Sequence, residues 1–126
     1  MLTDPLVAGL FQGGEQLLRQ LDLARVPLQA AFWLWDEDSR RWRLFIASPL
    51  VHTQGPLAVY RALQENTAGP EGFTLQDISV VSPNDRRVAL LRKAIRTGPA
   101  DIAGIRFTGN TINNVLIDDA YIYRVA

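Results

Sequence analysis

Three tryptophans within ten residues, Trp33, Trp35 and Trp42, constrain the fold of this chain more than any other feature. They lie in a hairpin-like stretch whose polar break is Asp36-Glu37-Asp38-Ser39-Arg40-Arg41. Large aromatic side chains bury the most apolar area per residue, so a hairpin carrying three indoles together with Phe32 and Phe45 is the expected nucleus of the core. Leu28 to Asp36 and Arg41 to Ala47 read as two antiparallel strands. Register then decides which faces the side chains occupy. With Asp36 opposite Arg41, Trp35 faces Trp42 and Trp33 faces Leu44, so the indoles share the core side and opposite charges pair at the tip. A slip of one residue would instead set Trp33 and Trp35 beside Arg41 and Arg43 and create a cationic aromatic surface. The first register is the expectation.

Around this hairpin the rest of the chain supplies three helices and three more strands. Leu6, Leu10, Leu17 and Leu21 recur at helical spacing with Val7, Phe11 and Leu18, after an Asp4-Pro5 start suited to a cap and first turn, and predict a helix over about 5 to 23. Gly13 and Gly14 interrupt the stripe, each costing about 1 kcal/mol relative to alanine in a helix. Either they allow the helix to approach the sheet closely or they split it in two, and close approach is the favoured reading. Residues 48 to 56 read as a polar connection leading to a helix over 56 to 66, with Pro56 in its first turn and Leu57, Tyr60 and Leu63 facing inward. A loop over 66 to 72 follows.

Leu75 to Val81 reads as a third strand, apolar on both faces and so expected inside the sheet. Ser82-Pro83-Asn84-Asp85 predicts the next helix start, with Ser82 as N-cap and Pro83 in the first helical position. Val88, Leu91, Ala94 and Ile95 form its apolar stripe, and Gly98-Pro99 ends it. Ile105 to Thr108 and Val115 to Val125 alternate around Gly109-Asn110 and Asn113-Asn114 and read as a second hairpin. The expected architecture is a single α+β domain over residues 1 to 126, in the order α-β-β-α-β-α-β-β. Its five strands form a mixed sheet covered by helices mainly on one face.

Composition narrows function by exclusion. The chain is 126 residues long, enough for one core without staples. It has no cysteine, which excludes disulfides and thiolate chemistry and fits a reducing compartment. Its 13 basic and 13 acidic residues cancel, so no global field recruits nucleic acid or an anionic membrane, and self-association is eased. No window resembles a membrane span and the amino-terminal stretch lacks the features of a signal peptide, so the expected location is the cytoplasm. The arginine bias among the basic residues suits carboxylate or phosphate recognition, although a GC-rich coding sequence produces the same bias.

Four candidate sites emerge, each with a plain structural counterpart. Arg86, Arg92, Lys93 and Arg96 cluster on one side of the last helix, within a stretch over 83 to 106 that holds six basic and two acidic residues. Such a face suits phosphate backbone or an acidic partner, and equally a solvated helix face with cations near its carboxyl end. His52, the only histidine, sits near Ser48 and Thr53 ahead of a helix start, a possible polar pocket that lacks an evident acid to orient the imidazole. Asp36, Glu37, Asp38, Asp118 and Asp119 offer oxygen ligands without calcium-loop spacing, and turn chemistry or a strand bulge accounts for them.

The fourth candidate is the sheet face opposite the tryptophans. Phe32, Leu34, Phe45 and Ala47 line it, and it is either covered by the amino-terminal helix or left as an interface. No metal or cofactor is expected. The leading expectation is a non-catalytic binding or adaptor module, acting as a homodimer or with a protein partner. A nucleic-acid-binding protein using the basic helix face is the first alternative, and a small enzyme using His52 the second.

Overall fold

The computed structural model describes residues 5–66 and 73–126. Along these the elements run α1 (Pro5–Leu23), β1 (Ala30–Asp36), β2 (Arg41–Ala47), α2 (Leu50–Gln54), α3 (Pro56–Asn66), β3 (Ile78–Val81), α4 (Arg86–Arg92), β4 (Ile105–Ile112) and β5 (Val115–Val125). A 3-10 turn at Leu75–Asp77 precedes β3. The strands form one mixed five-stranded sheet in the order β3-β2-β1-β5-β4, in which β2 and β3 are parallel and the other neighbours antiparallel. The α+β class and the order of elements are those expected, with α2 added inside the connection over 48 to 56. The expected cap at Asp4 and the loop beyond Asn66 lie outside the described residues.

The tryptophan hairpin takes the expected register, with Asp36 opposite Arg41, Trp35 opposite Trp42 and Trp33 opposite Leu44, and β1 as the central strand. The expected charge pair at the tip does not form, because Arg41 binds Asp77 at 3.3 Å and Asp36 bonds to Ser39 within its own turn. On the indole face α1 and α3 cover the sheet, packing Leu17, Leu18, Leu21, Val59 and Leu63 against Trp33, Leu44, Ile46 and Tyr123. Trp33 is fully buried, whereas Trp35 and Trp42 are half-buried toward the hairpin tip. The helix α1 runs unbroken through Gly13 and Gly14, both buried. A Cβ on Gly14 would collide with the Tyr123 hydroxyl and come within 2.7 Å of Trp33 Nε1, so this glycine permits the close approach of helix to sheet.

That close approach makes room for a buried polar chain. The Trp33 indole N–H donates to the Tyr123 hydroxyl at 2.9 Å, and that hydroxyl donates to the Phe11 carbonyl of α1 at 2.5 Å. Burial, only partly offset by the indole bond, pushes the Tyr123 phenol well above the ordinary tyrosine range. At its carboxyl end α1 closes with Arg25 in the left-handed conformation (φ 61°), Arg25 N–H bonded to the Asp22 carbonyl and Val26 N–H to the Leu21 carbonyl. This is the pairing that satisfies otherwise orphaned helix carbonyls. The Arg124 side chain, 1% exposed, lies beneath that terminus. It donates to both oxygens of the Asp22 carboxylate at 3.0 and 2.8 Å and to the Asp101 carbonyl at 2.9 Å.

The opposite face is covered by α4 rather than by α1. Val88 and Leu91 pack on Ala30, Phe32, Phe45, Ala47 and Ile122, so much of this apolar face, for which cover by α1 and an open interface were the alternatives, is core. Other details depart from the sequence reading for identifiable reasons. Leu57 is 60% exposed and Val59 takes the inward position, a phase shift along α3. The strand β3 is at the sheet edge, not its interior, and it begins at Ile78 and not at Leu75, where a 3-10 turn stands instead. Its outer edge is shielded by Tyr60 of α3, whose hydroxyl donates to the Ile78 carbonyl at 3.3 Å and accepts from Val80 N–H at 3.2 Å.

Ser82 caps a turn instead of the helix, its Oγ accepting from Asn84 N–H at 3.0 Å, and Asp85 is the true N-cap, accepting from Arg87 N–H at 2.9 Å. The helix α4 stops at Arg92, well before Gly98, so Ala94 falls outside it and is exposed. The second hairpin turns on Asn113 and Asn114, both with positive φ (50° and 65°), as a two-residue turn between right-twisted strands requires. At Gly109 (φ 62°) β4 changes parity. Ile105 and Phe107 pack on the α4 side, and so does Ile112, an odd number of residues further on. The hairpin tip therefore curls over the face that holds α4.

Candidate functional site

The curled hairpin tip and α4 bound an apolar groove of about 550 Å³. Leu34 of β1, Leu90 and Leu91 of α4, and Val115 and Ile117 of β5 line it, with Arg86 and Arg87 at its margin. No carboxylate is in that lining. Arg87 is turned inward, paired with Asp85 at 3.1 Å and placed 4.7 Å over the Phe45 ring, whereas Arg86 is exposed and has no ion pair among the described residues. Val115 in this lining is 48% exposed. The groove is the uncovered remainder of the face opposite the tryptophans, which Leu34 marks.

A second recess, of about 390 Å³, lies toward the hairpin tip on the indole face. Trp35 and Trp42 line it with their ring centres 5.7 Å apart and planes at 66°, together with Glu37, Arg106, Asp118 and Asp119. Arg106 of β4 binds Asp119 of β5 through two bonds of 2.6 Å, which hold its guanidinium firmly in the protonated form. The same guanidinium sits 5.2 Å from the Phe11 ring centre and 5.7 Å from that of Trp42. Phe11 stacks on Tyr121 at 4.1 Å and meets Trp42 edge-on at 5.4 Å. A cationic aromatic surface thus forms without any slip of register, with Arg106 of β4 near the rings and Arg40 and Arg41 lining an adjoining recess with Trp33, Trp35 and Trp42.

The residues singled out from sequence are dispersed. Ser48 is buried and structural: its hydroxyl donates to the Pro27 carbonyl at 2.7 Å and accepts from Leu50 N–H at 3.2 Å at the start of α2. Thr53 bonds back to the Leu50 carbonyl at 3.5 Å. His52 is exposed and its Nε2 meets Ser82 Oγ at 2.5 Å, with no carboxylate bonded to the ring among the described residues. The orienting acid that a nucleophile and base need is missing from this arrangement.

The basic residues do not share one helix face. Arg86 opens α4, Arg92 closes it with its Nε bonded to the Ala126 carbonyl at 3.0 Å, and Lys93 and Arg96 lie beyond the helix, both exposed. Among the acids, Asp36 serves the β1–β2 turn, accepting from the Ser39 hydroxyl at 2.9 Å and the Asp38 amide at 3.1 Å. The Ser39 bond foremost holds its carboxyl below the ordinary aspartate value. No three His, Cys, Asp or Glu side chains among the described residues converge as a ligand set. No helix among them is long and apolar enough to cross a membrane. No protein-family model, curated protein or solved structure matches this chain.

Proposed function

We propose that the protein is a binding module that receives an apolar, acid-flanked segment of a partner protein in the groove between α4 and the β4–β5 tip. The observation that carries this reading is the lining: five aliphatic side chains with two arginines and no carboxylate. Apolar contact supplies affinity in such a groove, and the cationic margin selects partners by charge and speeds their encounter. Arg87 is already paired with Asp85 at 3.1 Å, so Arg86, which has no ion pair among the described residues, is the cation left for an acidic residue of the partner. Two identical grooves packed together would offer Arg86 no carboxylate from their linings, which favours a different, acidic partner over a homodimer.

The test is selection of dodecapeptides displayed on phage against the immobilised chain, with Val115→Glu as the counter-selection. Expected are peptides with two or more apolar residues beside Asp or Glu, whose binding is lost in Val115→Glu and weakened by Arg86→Ala and by salt. Peptides indifferent to both substitutions overturn the reading. A dimer by light scattering that Val115→Glu converts to monomer assigns the groove to self-association instead. Salt-sensitive binding of single- or double-stranded oligonucleotides, abolished by joint replacement of Arg86, Lys93 and Arg96, returns the function to nucleic acid.

A further inference from the structure

We infer that the recess beside Trp35 and Trp42 is a second binding site, for a compact organic cation of the alkylammonium class. It lies on the indole face and is independent of the groove beside α4. Charge carries the first step. Arg106 and Asp119 neutralise each other through their paired 2.6 Å bonds, while Glu37 and Asp118 have no ion pair among the described residues. The lining therefore keeps two uncompensated carboxylates in a protein whose total charge is zero. An anionic ligand meets like charge there, and a cation meets countercharge.

The aromatic geometry carries the second step. Both indoles line the recess, and the Trp35 Nε1–H donates to Glu37 Oε2 at 2.7 Å, which fixes one carboxylate at the rim of its ring. Indole faces attract cations through the ring quadrupole, most strongly where water is partly excluded. The structure already uses this attraction once, with Arg106 held near Trp42. Because that planar guanidinium occupies the stacking position, the space left beside Trp35, Glu37 and Asp118 suits a compact ammonium better than a second flat group.

Two sources carry that chemistry, a free small amine and the lysine side chain of a protein. The test titrates the ¹⁵N-labelled chain with n-butylammonium chloride, with tetramethylammonium chloride and with an end-blocked lysine-containing hexapeptide, each against matched sodium chloride. The readout is the indole N–H resonances, with buried Trp33 as internal reference. Saturable shifts of Trp35 and Trp42 are expected, with affinity falling about tenfold in Glu37→Gln combined with Asp118→Asn. Glutamine keeps an acceptor for the Trp35 indole N–H, and both positions are exposed, so the fold is retained.

Tighter binding by the hexapeptide than by either small amine assigns the site to a lysine side chain, and the reverse order to a free amine. Shifts equal to those from sodium chloride, shifts unchanged by the two substitutions, or no shift at all overturn the inference.

Discussion

Gly14→Ala separates packing from helix propensity, because the two act in opposite directions at one atom. In an interior helical position an added methyl normally stabilises by about 1 kcal/mol. Gly9, also within α1, has nothing within 4 Å of where its Cβ would lie, so Gly9→Ala is expected to raise stability by about 0.5–1 kcal/mol. At Gly14 the same methyl collides with the Tyr123 hydroxyl and reaches to 2.7 Å of Trp33 Nε1 and 2.9 Å of Tyr123 Cζ. None of these atoms is the loose end of a flexible chain, since both rings are buried and bonded to each other.

Relief requires α1 to lift or Tyr123 to turn. Overpacking of this kind costs about 1–3 kcal/mol, and a buried indole N–H left without an acceptor costs about 1–3 kcal/mol more. After subtracting the propensity gain, a net loss of about 1–5 kcal/mol is expected. Equilibrium unfolding in guanidinium chloride, followed by tryptophan fluorescence, measures it. Combining Gly14→Ala with Tyr123→Phe, which removes the colliding oxygen, should cost less than the sum of the two single changes by about 1 kcal/mol or more. A Gly14→Ala protein as stable as Gly9→Ala, with an unshifted Trp33 indole resonance, refutes the argument that this glycine is required by the helix–sheet contact.

Two further outcomes follow from buried polar groups. Asp22→Ala leaves the Arg124 guanidinium, 1% exposed, without its countercharge and is expected to cost about 3–5 kcal/mol. Arg124→Met should cost less, because the Asp22 side chain is 34% exposed and water solvates the carboxylate left behind; equal losses in chemical denaturation would contradict this. For Tyr123 the folded phenol titrates above the unfolded one, so its contribution is complete below the unfolded value near 10 and is lost as pH rises beyond it. Above about pH 10 stability should fall with a slope approaching about 1.4 kcal/mol per pH unit from this group, and Tyr123→Phe should flatten it; parallel slopes in urea titrations of the two proteins would refute the assignment.

The β1–β2 register could be read from sequence because two independent constraints agree on it: opposite charges at Asp36 and Arg41, and indoles on alternating positions. Close helix approach was likewise legible from paired glycines in an otherwise apolar stripe. The start of α4 was not, because Ser82 and Asp85 are both competent caps three residues apart. Ser82 closes a turn onto Asn84, which leaves Asp85 to receive the helix. The strand β3 looked interior because its residues are apolar on both faces, and what shields its open edge is a tyrosine from a separate helix. Single residues of the two surfaces stood out in the sequence, Leu34 and Arg86 on one side and Glu37, Asp118 and Asp119 on the other, but not their convergence. Arg106 comes beside Trp42 only through the pairing of β4 with β5 and of β5 with β1, and the groove needs the β4–β5 tip to stand beside α4. Such contacts between distant segments leave no periodicity in a single sequence.

Both surfaces nevertheless meet at one dipeptide of the strand already evident from the tryptophans. Leu34 enters the groove beside α4 and Trp35 the recess beside Glu37, because successive side chains of a strand point to opposite faces. Asp36 stands opposite Arg41 in the ladder one residue further on, so the same register that places the indole fixes the leucine. A shift of one residue in β1 would exchange the two, presenting an indole to the arginine-bordered groove and an aliphatic group to the carboxylates. Neither surface would then keep the chemistry argued for it. The binding role proposed for this chain thus depends on register more than on any single side chain, and the charged residues at the hairpin tip act through position before they act through contact with a ligand.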